Sequence, residues 1–178
     1  KRKTRKPKKS NKKIRKTRSK RQRGGGKEEN DELIRASFKG DLVKVYELLN
    51  KGANVNAKNK LGNTALIRAS RNGHTDVVEL LLAQPNILMN ERDNVGRSAL
   101  IWASVNEHTD VVRLLLNHRV NIDIADNADA RHTALWWARY NRNITIVELL
   151  EKAIENEQTV RGHKHEAIEL IKEQNTQA

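Results

Sequence analysis

Three stretches of the chain can be laid over one another in register: Asn63-Thr-Ala-Leu-Ile-Arg-Ala-Ser70, Arg97-Ser-Ala-Leu-Ile-Trp-Ala-Ser104 and His132-Thr-Ala-Leu-Trp-Trp-Ala-Arg139. Thr64, Ser98 and Thr133 are 34 and 35 residues apart. A second block follows each stretch: Gly73-His-Thr-Asp-Val-Val-Glu-Leu-Leu-Leu82, Glu107-His-Thr-Asp-Val-Val-Arg-Leu-Leu-Leu116 and Asn143-Ile-Thr-Ile-Val-Glu-Leu-Leu150. One period upstream, Gly40-Asp-Leu-Val-Lys-Val-Tyr-Glu-Leu-Leu49 repeats the second block alone, which makes four units. A unit of this length cannot bury its apolar face by itself, so successive units must stack and share one continuous core.

Each unit reads as a short Ala-rich helix, a turn and a longer helix whose Val and Leu recur at three- and four-residue spacing. Small side chains on the first helix let neighbouring helices approach closely. Thr75 and Thr109 stand where an N-cap hydroxyl would accept from free backbone amides, and Gly52 follows a Leu-rich helix where a left-handed residue is wanted.

These blocks resemble the ankyrin repeat, whose pattern runs through Thr-Pro-Leu-His-x-Ala-Ala, Gly-His, Val-Val-x-Leu-Leu-Leu and Gly-Ala-Asp-Val-Asn-Ala; Gly52-Ala-Asn-Val-Asn-Ala57 matches the last of these almost letter for letter. The resemblance covers roughly residues 29 to 155. It departs at Ala65, Ala99 and Ala134, where the family favours Pro, at Ile67, Ile101 and Trp136, where it favours His, and at Arg131, where a Gly is expected. It implies that His74 and His108 serve the turn between helices. It also implies a concave surface for partner binding, carried by Phe38 and Lys39; Lys60, Leu61, Asn63, Arg71 and Asn72; Asn94, Val95, Arg97, Val105 and Asn106; and Asp129, Ala130, His132, Tyr140 and Asn141. Trp102 and Trp137 take a position where the family commonly places Leu, which implies packing between repeats, whereas Trp136 lies nearer the turn.

At the ends the pattern dilutes. Leu33, Ile34, Val43, Val45, Leu48 and Leu49 form the N-terminal share of the core, and His163 to Lys172 reads as a capping helix after a loop or a remnant first helix over Glu155 to Arg161.

Charge separates the chain into two parts. Residues 1–27 hold sixteen Lys or Arg and no acidic residue, leaving nineteen basic against twenty-two acidic residues in the rest. With Ile14 as its sole sizeable apolar residue, this arm cannot bury enough surface to offset the roughly 1–2 kcal/mol per residue that ordering costs, so disorder is expected. Its Lys6, Lys8, Lys9, Lys12, Lys13, Arg15, Lys20, Arg21 and Arg23 suit non-specific nucleic-acid binding or an import receptor's acidic groove. Gly24-Gly-Gly-Lys27 follows a charge run and precedes Glu28, so it reads as a hinge and not as a phosphate loop. The Lys/Arg/Ser/Thr arm joined to Ile- and Asn-rich repeats also resembles proteins of large DNA viruses.

The chain has no Cys, which excludes disulfides and thiolate metal sites and suits a reducing compartment. His163 and His165 are two apart and point to different sides of a helix. No nucleophile elbow or paired carboxylate is present, so neither catalysis nor a cofactor or metal is expected. No apolar run is long enough to span a membrane. The reading is an all-α ankyrin-repeat solenoid of about four helix-turn-helix repeats with a C-terminal capping helix and a disordered basic N-terminal arm. Its parts are the arm (1–27), the repeats (28–155: about 28–60, 61–94, 95–128 and 129–155) and a degenerate repeat or capping helix (156–178). The expected function is that of a monomeric, intracellular adapter in cytoplasm or nucleus: the concave face binds a protein while the arm localises or tethers. The alternative is a nucleic-acid-associated protein whose arm supplies non-specific affinity.

Overall fold

The computed structural model describes residues 26–176, so the arm residues Lys6 to Arg23 named above lie outside the described residues. Eight helices follow one another within the described residues: α1 (Lys27–Lys39), α2 (Leu42–Asn50), α3 (Ala65–Arg71), α4 (Thr75–Leu82), α5 (Ala99–Val105), α6 (Thr109–Asn117), α7 (Ala134–Tyr140) and α8 (Ile144–Thr176). They form four pairs. First helices α1, α3, α5 and α7 pack in series as one layer, and second helices α2, α4, α6 and α8 as another. The first helices touch each other more extensively than the second helices do, so the stack curves toward the first-helix layer. That layer and the turn tips are called here the inner face.

The core lies between the layers. Ala65, Leu66, Ile67 and Ala69 of α3 meet Val77, Val78 and Leu81 of α4, and Ala99, Leu100, Ile101 and Ala103 of α5 with Val111, Val112 and Leu115 of α6 repeat the arrangement. At the N-terminal end Leu33, Ile34, Val45 and Leu48 are buried, but Val43 is 70 % exposed. The placement of Val43 in the core is therefore corrected: it is the equivalent of Asp76 and Asp110, on the solvent side of its helix.

Helix starts differ from expectation in a consistent way. Thr64, Ser98 and Thr133 cap the first helices, each side-chain oxygen accepting from the backbone N–H three residues on. Thr75 and Thr109 are instead the first residues of α4 and α6, after His74 and His108, which make no side-chain cap bond. Asp41 and Asn143 cap α2 and α8. Gly52 has φ +88° and its N–H meets Leu49 O at 2.9 Å, closing α2 as expected.

Two boundaries also move. Lys27, grouped with the arm, is the first residue of α1, whose first turn holds Glu28 and Glu29 where the helix dipole favours anions. The loop or remnant expected over Glu155 to Arg161, and the division at residue 155, give way to one continuous helix. No Pro interrupts it, Arg161 pairs with Glu157 at 3.1 Å, and Gly162 is tolerated within it at a cost of about 1 kcal/mol relative to Ala.

Candidate functional site

Between pairs the chain makes long turns whose geometry recurs. Asn59 Oδ1 accepts from the N–H groups of Leu61 and Asn63, Asp93 Oδ1 from those of Val95 and Arg97, and Asp126 Oδ1 from those of Ala128 and His132. The first two turns close between residues four apart and the third between Asp126 and His132, six apart. The two extra residues project Asp129 and Ala130 outward, and Arg131 adopts φ +49° where Gly62 and Gly96 stand in the other turns.

The amides named as contact residues fall into a scaffold role. Asn72 Nδ2 donates to Phe38 O at 2.6 Å, Asn106 Nδ2 to Arg71 O at 2.6 Å and Asn141 Nδ2 to Val105 O at 2.8 Å. Each ties a first helix to the end of the first helix before it. Nε2 of His74 and of His108 lies 3.0 Å from the same Phe38 and Arg71 carbonyls. Asn94 Nδ2 reaches Lys60 O at 3.0 Å, and Asn63 is only 3 % exposed, beneath its turn. Asn63 is therefore corrected from surface to interior, because its amide folds back to Leu61 O.

The side chains left on the inner face form a ladder of cations and aromatic rings. The Arg68 guanidinium lies 4.9 Å over the Phe38 ring. Trp102 is held between Arg71 at 4.1 Å and Arg97 at 4.7 Å, and Arg97 also lies 4.6 Å from Trp137. Cation–π contacts of this kind contribute about 0.5–1 kcal/mol each where solvent reaches them. Beneath the ladder, Trp102 Nε1 donates to Asp93 Oδ2 at 2.7 Å and Trp137 Nε1 to Asp126 Oδ2 at 3.3 Å. Burial alone would raise the Asp126 pKa, but amide donation from His132 and Ala128, the Trp137 indole and the His132 ring outweigh it and hold the carboxyl below its ordinary value.

The ladder ends in an aromatic cluster. Trp136 stacks on Tyr140 at 5.1 Å and lies 3.7 Å from the His132 ring at a 33° tilt, with Trp137 edge-on at 4.9 Å. Trp136 is 39 % exposed although its equivalents Ile67 and Ile101 are buried, since among the described residues no further first helix packs beside α7. Tyr140 is 67 % exposed, and Phe38, Leu61 and Val95 also face solvent; so do Lys39, Lys60, Asp129 and Ala130, while Arg71, Arg97, Val105 and His132 are half-buried.

Of the residues named from sequence, the structure thus brings Phe38, Arg71, Arg97, His132 and Tyr140 into one ladder and leaves Lys39, Lys60, Asp129 and Ala130 apart from it. Sequence reasoning missed Arg68, and kept Trp136 and the packing tryptophans Trp102 and Trp137 off the surface set. A signal was available: Arg68, Trp102 and Trp137 each lie four residues after a capping Thr or Ser, which puts them in one row. Among the described residues no group of three His, Asp or Glu is placed to hold a metal ion, and no helix is long and apolar enough to cross a membrane.

The family model for ankyrin repeats (3 copies) matches residues 33–126 and 86–160, well over half of the chain. Osteoclast-stimulating factor 1 of Xenopus laevis is 44 % identical over 59 residues, 33 % of this chain and 28 % of that protein. The Danio rerio protein of the same name is 43 % identical over 56 residues, 32 % of this chain and 26 % of that one. A probable E3 ubiquitin-protein ligase, XBOS33, of Oryza sativa subsp. japonica is 51 % identical over 53 residues, 30 % of this chain and 10 % of that protein. The matches thus cover between about a tenth and about a quarter of these relatives' own length, and nothing in them bears on the viral resemblance.

Proposed function

The chain belongs to the ankyrin-repeat family, and from that premise we propose that its concave inner face binds a segment of a partner protein, while the basic arm localises or tethers the module. Ankyrin repeats are protein-interaction modules, and that general description applies here. The observation that carries the finer reading is the ladder running from half-exposed Phe38 through half-buried Arg71 and Arg97 to exposed Tyr140, on a backbone fixed by inter-repeat hydrogen bonds. Aromatic and Arg side chains dominate binding hot spots, and a surface already rigid loses little entropy when it is occupied.

The alternative places the affinity in the arm. An arm neutralising about eight phosphates would give a log–log salt slope near −7, whereas a contact through the repeats varies far less with salt. The test is capture from nuclease-treated extract at roughly 0.3 M salt, where exposed charges are largely screened. It compares the full chain with a version beginning at Glu28 and with the full chain carrying R71A, R97A and Y140A. Retention of one protein by the first two and its loss from the third supports the inner face. Recovery that disappears with nuclease or with the arm supports the alternative.

A further inference from the structure

Arg68 and Arg71 lie on one face of α3, three residues apart, and among the described residues neither guanidinium has a carboxylate within ion-pairing distance or a hydrogen-bond acceptor. Arg68 Nε is buried without a partner. Burial, then the charge of Arg71, lower the Arg68 pKa, so the pair stands as two uncompensated like charges in a partly dry place. Arg97, the next cation along, approaches Asp126 at 3.5 Å but makes no hydrogen bond through Nε. Beside Arg68 a cleft of about 260 Å³ opens between α1 and α3, lined by Asp31, Ile34, Arg35, Phe38, Asn59 and Arg68. Arg35 there is paired with Glu32 at 2.8 Å, and Asp31 reaches no cation of the cleft.

We propose that the segment bound on the inner face is an acidic stretch of a partner protein, with one carboxylate taken by Arg68 and Arg71 together and a second by Arg97. This rests on the inner-face reading above and adds to it the chemistry of the occupant. Guanidinium–carboxylate pairs are charge-assisted and often bidentate, and a carboxylate is the group that would satisfy donors left open here. Neighbouring helices are about 8–10 Å apart, and a segment in polyproline II form advances about 3.1 Å per residue with about three residues per turn. Acidic side chains three residues apart on such a segment therefore share one side and fall on consecutive repeats.

Two other anionic or intramolecular occupants fit less well. The chain's own arm has the same sign as the ladder, with sixteen Lys or Arg and no acidic residue over residues 1–27. Single-stranded nucleic acid binds by stacking its bases on open aromatic faces. Arg71 and Arg97 both lie against the Trp102 ring, Arg97 lies against Trp137, and Trp136 is stacked on Tyr140 with the tilted His132 ring close by. The indoles of Trp102 and Trp137 are thus taken by guanidinium groups, and the exposed Tyr140 ring lies at one end of the ladder.

The experiment pans a randomised twelve-residue peptide library displayed on phage against the full chain at roughly 0.3 M salt. The peptides recovered are then synthesised, and their binding is measured by fluorescence anisotropy. The expected result is enrichment of Asp and Glu at three-residue spacing, and about tenfold or greater weakening of the selected peptide by R68A/R71A with the arm intact. Because Arg68 is half-buried, R71Q alone and R97Q serve as second and third variants, with circular dichroism confirming the helix content of each. Glu-to-Gln changes in the peptide must weaken binding to the wild type and lose their effect in R68A/R71A. Acidic enrichment indifferent to all of these variants places the contact on the arm and overturns the proposal. Neutral peptides that still lose binding with Y140A overturn it while leaving the inner-face reading intact. Displacement of the acidic peptide by a twelve-residue oligothymidylate that itself depends on Arg68 and Arg71 overturns it in favour of nucleic acid. If no recovered peptide responds to R71Q, R97Q or Y140A, the inner-face reading and the proposal fall together.

Discussion

Gly40 and Gly73 are required by the histidines one repeat later. At Gly40, φ is +74° and an added Cβ would lie 2.5 Å from His74 Nδ1; at Gly73 the corresponding distance to His108 is 2.6 Å. At the next position Glu107 replaces the glycine with φ +61°, and there the following repeat carries Asn143 instead of His. Asn143 Nδ2 donates to Glu107 Oε2 at 3.0 Å while its Oδ1 caps α8. The two positions are thus a matched pair, Gly with His or Glu with Asn. N143H is expected to destabilise the wild type by about 1–3 kcal/mol, through overpacking and the lost cap, and to cost less in an E107G background. A double-mutant cycle by urea unfolding gives the coupling; additive effects would sink the pairing. The same scale contains the pH response. The Asp126 carboxyl titrates below its ordinary 3.8 in the folded state, so its stabilisation is present above that value and is lost as pH falls through the folded pKa. Thermal melts between pH 5 and pH 2 should show D126N losing less stability on acidification than the wild type. Equal losses would assign the acid sensitivity elsewhere.

At the scale of the element, the first helices were the most legible and the last helix the least. Thr64, Ser98 and Thr133 head three nearly identical strings, and both their spacing and their Ala content point to short, closely packed helices. For the second helices the sequence points to Thr75 and Thr109 as N-caps, because a Thr shortly before an apolar run is a cap signal. What decides the matter is tertiary: His74 and His108 turn back to the preceding pair, and the helices start one residue earlier than a Thr cap would place them. The ladder was only half visible for a related reason. Nothing in the repeat pattern singles out Arg68, and the exposure of Trp136 follows from α7 having no further first helix beside it among the described residues. In α8 the dilution of Leu by charge concealed a continuous helix, since amphipathic pattern weakens once there is no second layer to bury against. An added Cβ at Gly162 would meet nothing within 4 Å. G162A should raise helicity and strengthen amide protection around it by up to about 1 kcal/mol. Hydrogen exchange residue by residue tests this, and unchanged protection would mean that α8 does not persist as a helix there.

Across the described residues the main contacts between elements run between neighbours, so stability is close to a sum of local pairs and interfaces. Leu81 and Leu150 are both fully buried, one in an interior pair and the other in the last. Truncating either to Ala should cost about 2–5 kcal/mol locally. The consequences differ in reach. L81A should lower protection across the whole stack, whereas L150A should let α7 and α8 open while α3 to α6 keep their slow amides. Uniform loss of protection in L150A would show that the stack behaves as one cooperative block.

The side-chain ties that close the ends of α1, α3 and α5 all point one way. The Asn or His donor belongs to the later pair and the carbonyl it reaches belongs to the earlier one. A ribosome delivers the earlier pair first, so each new pair arrives carrying the groups that close the helix ends of its predecessor. Synthesis and consolidation therefore advance in the same direction, and a stalled nascent chain would be firm at its base and open only at its newest pair.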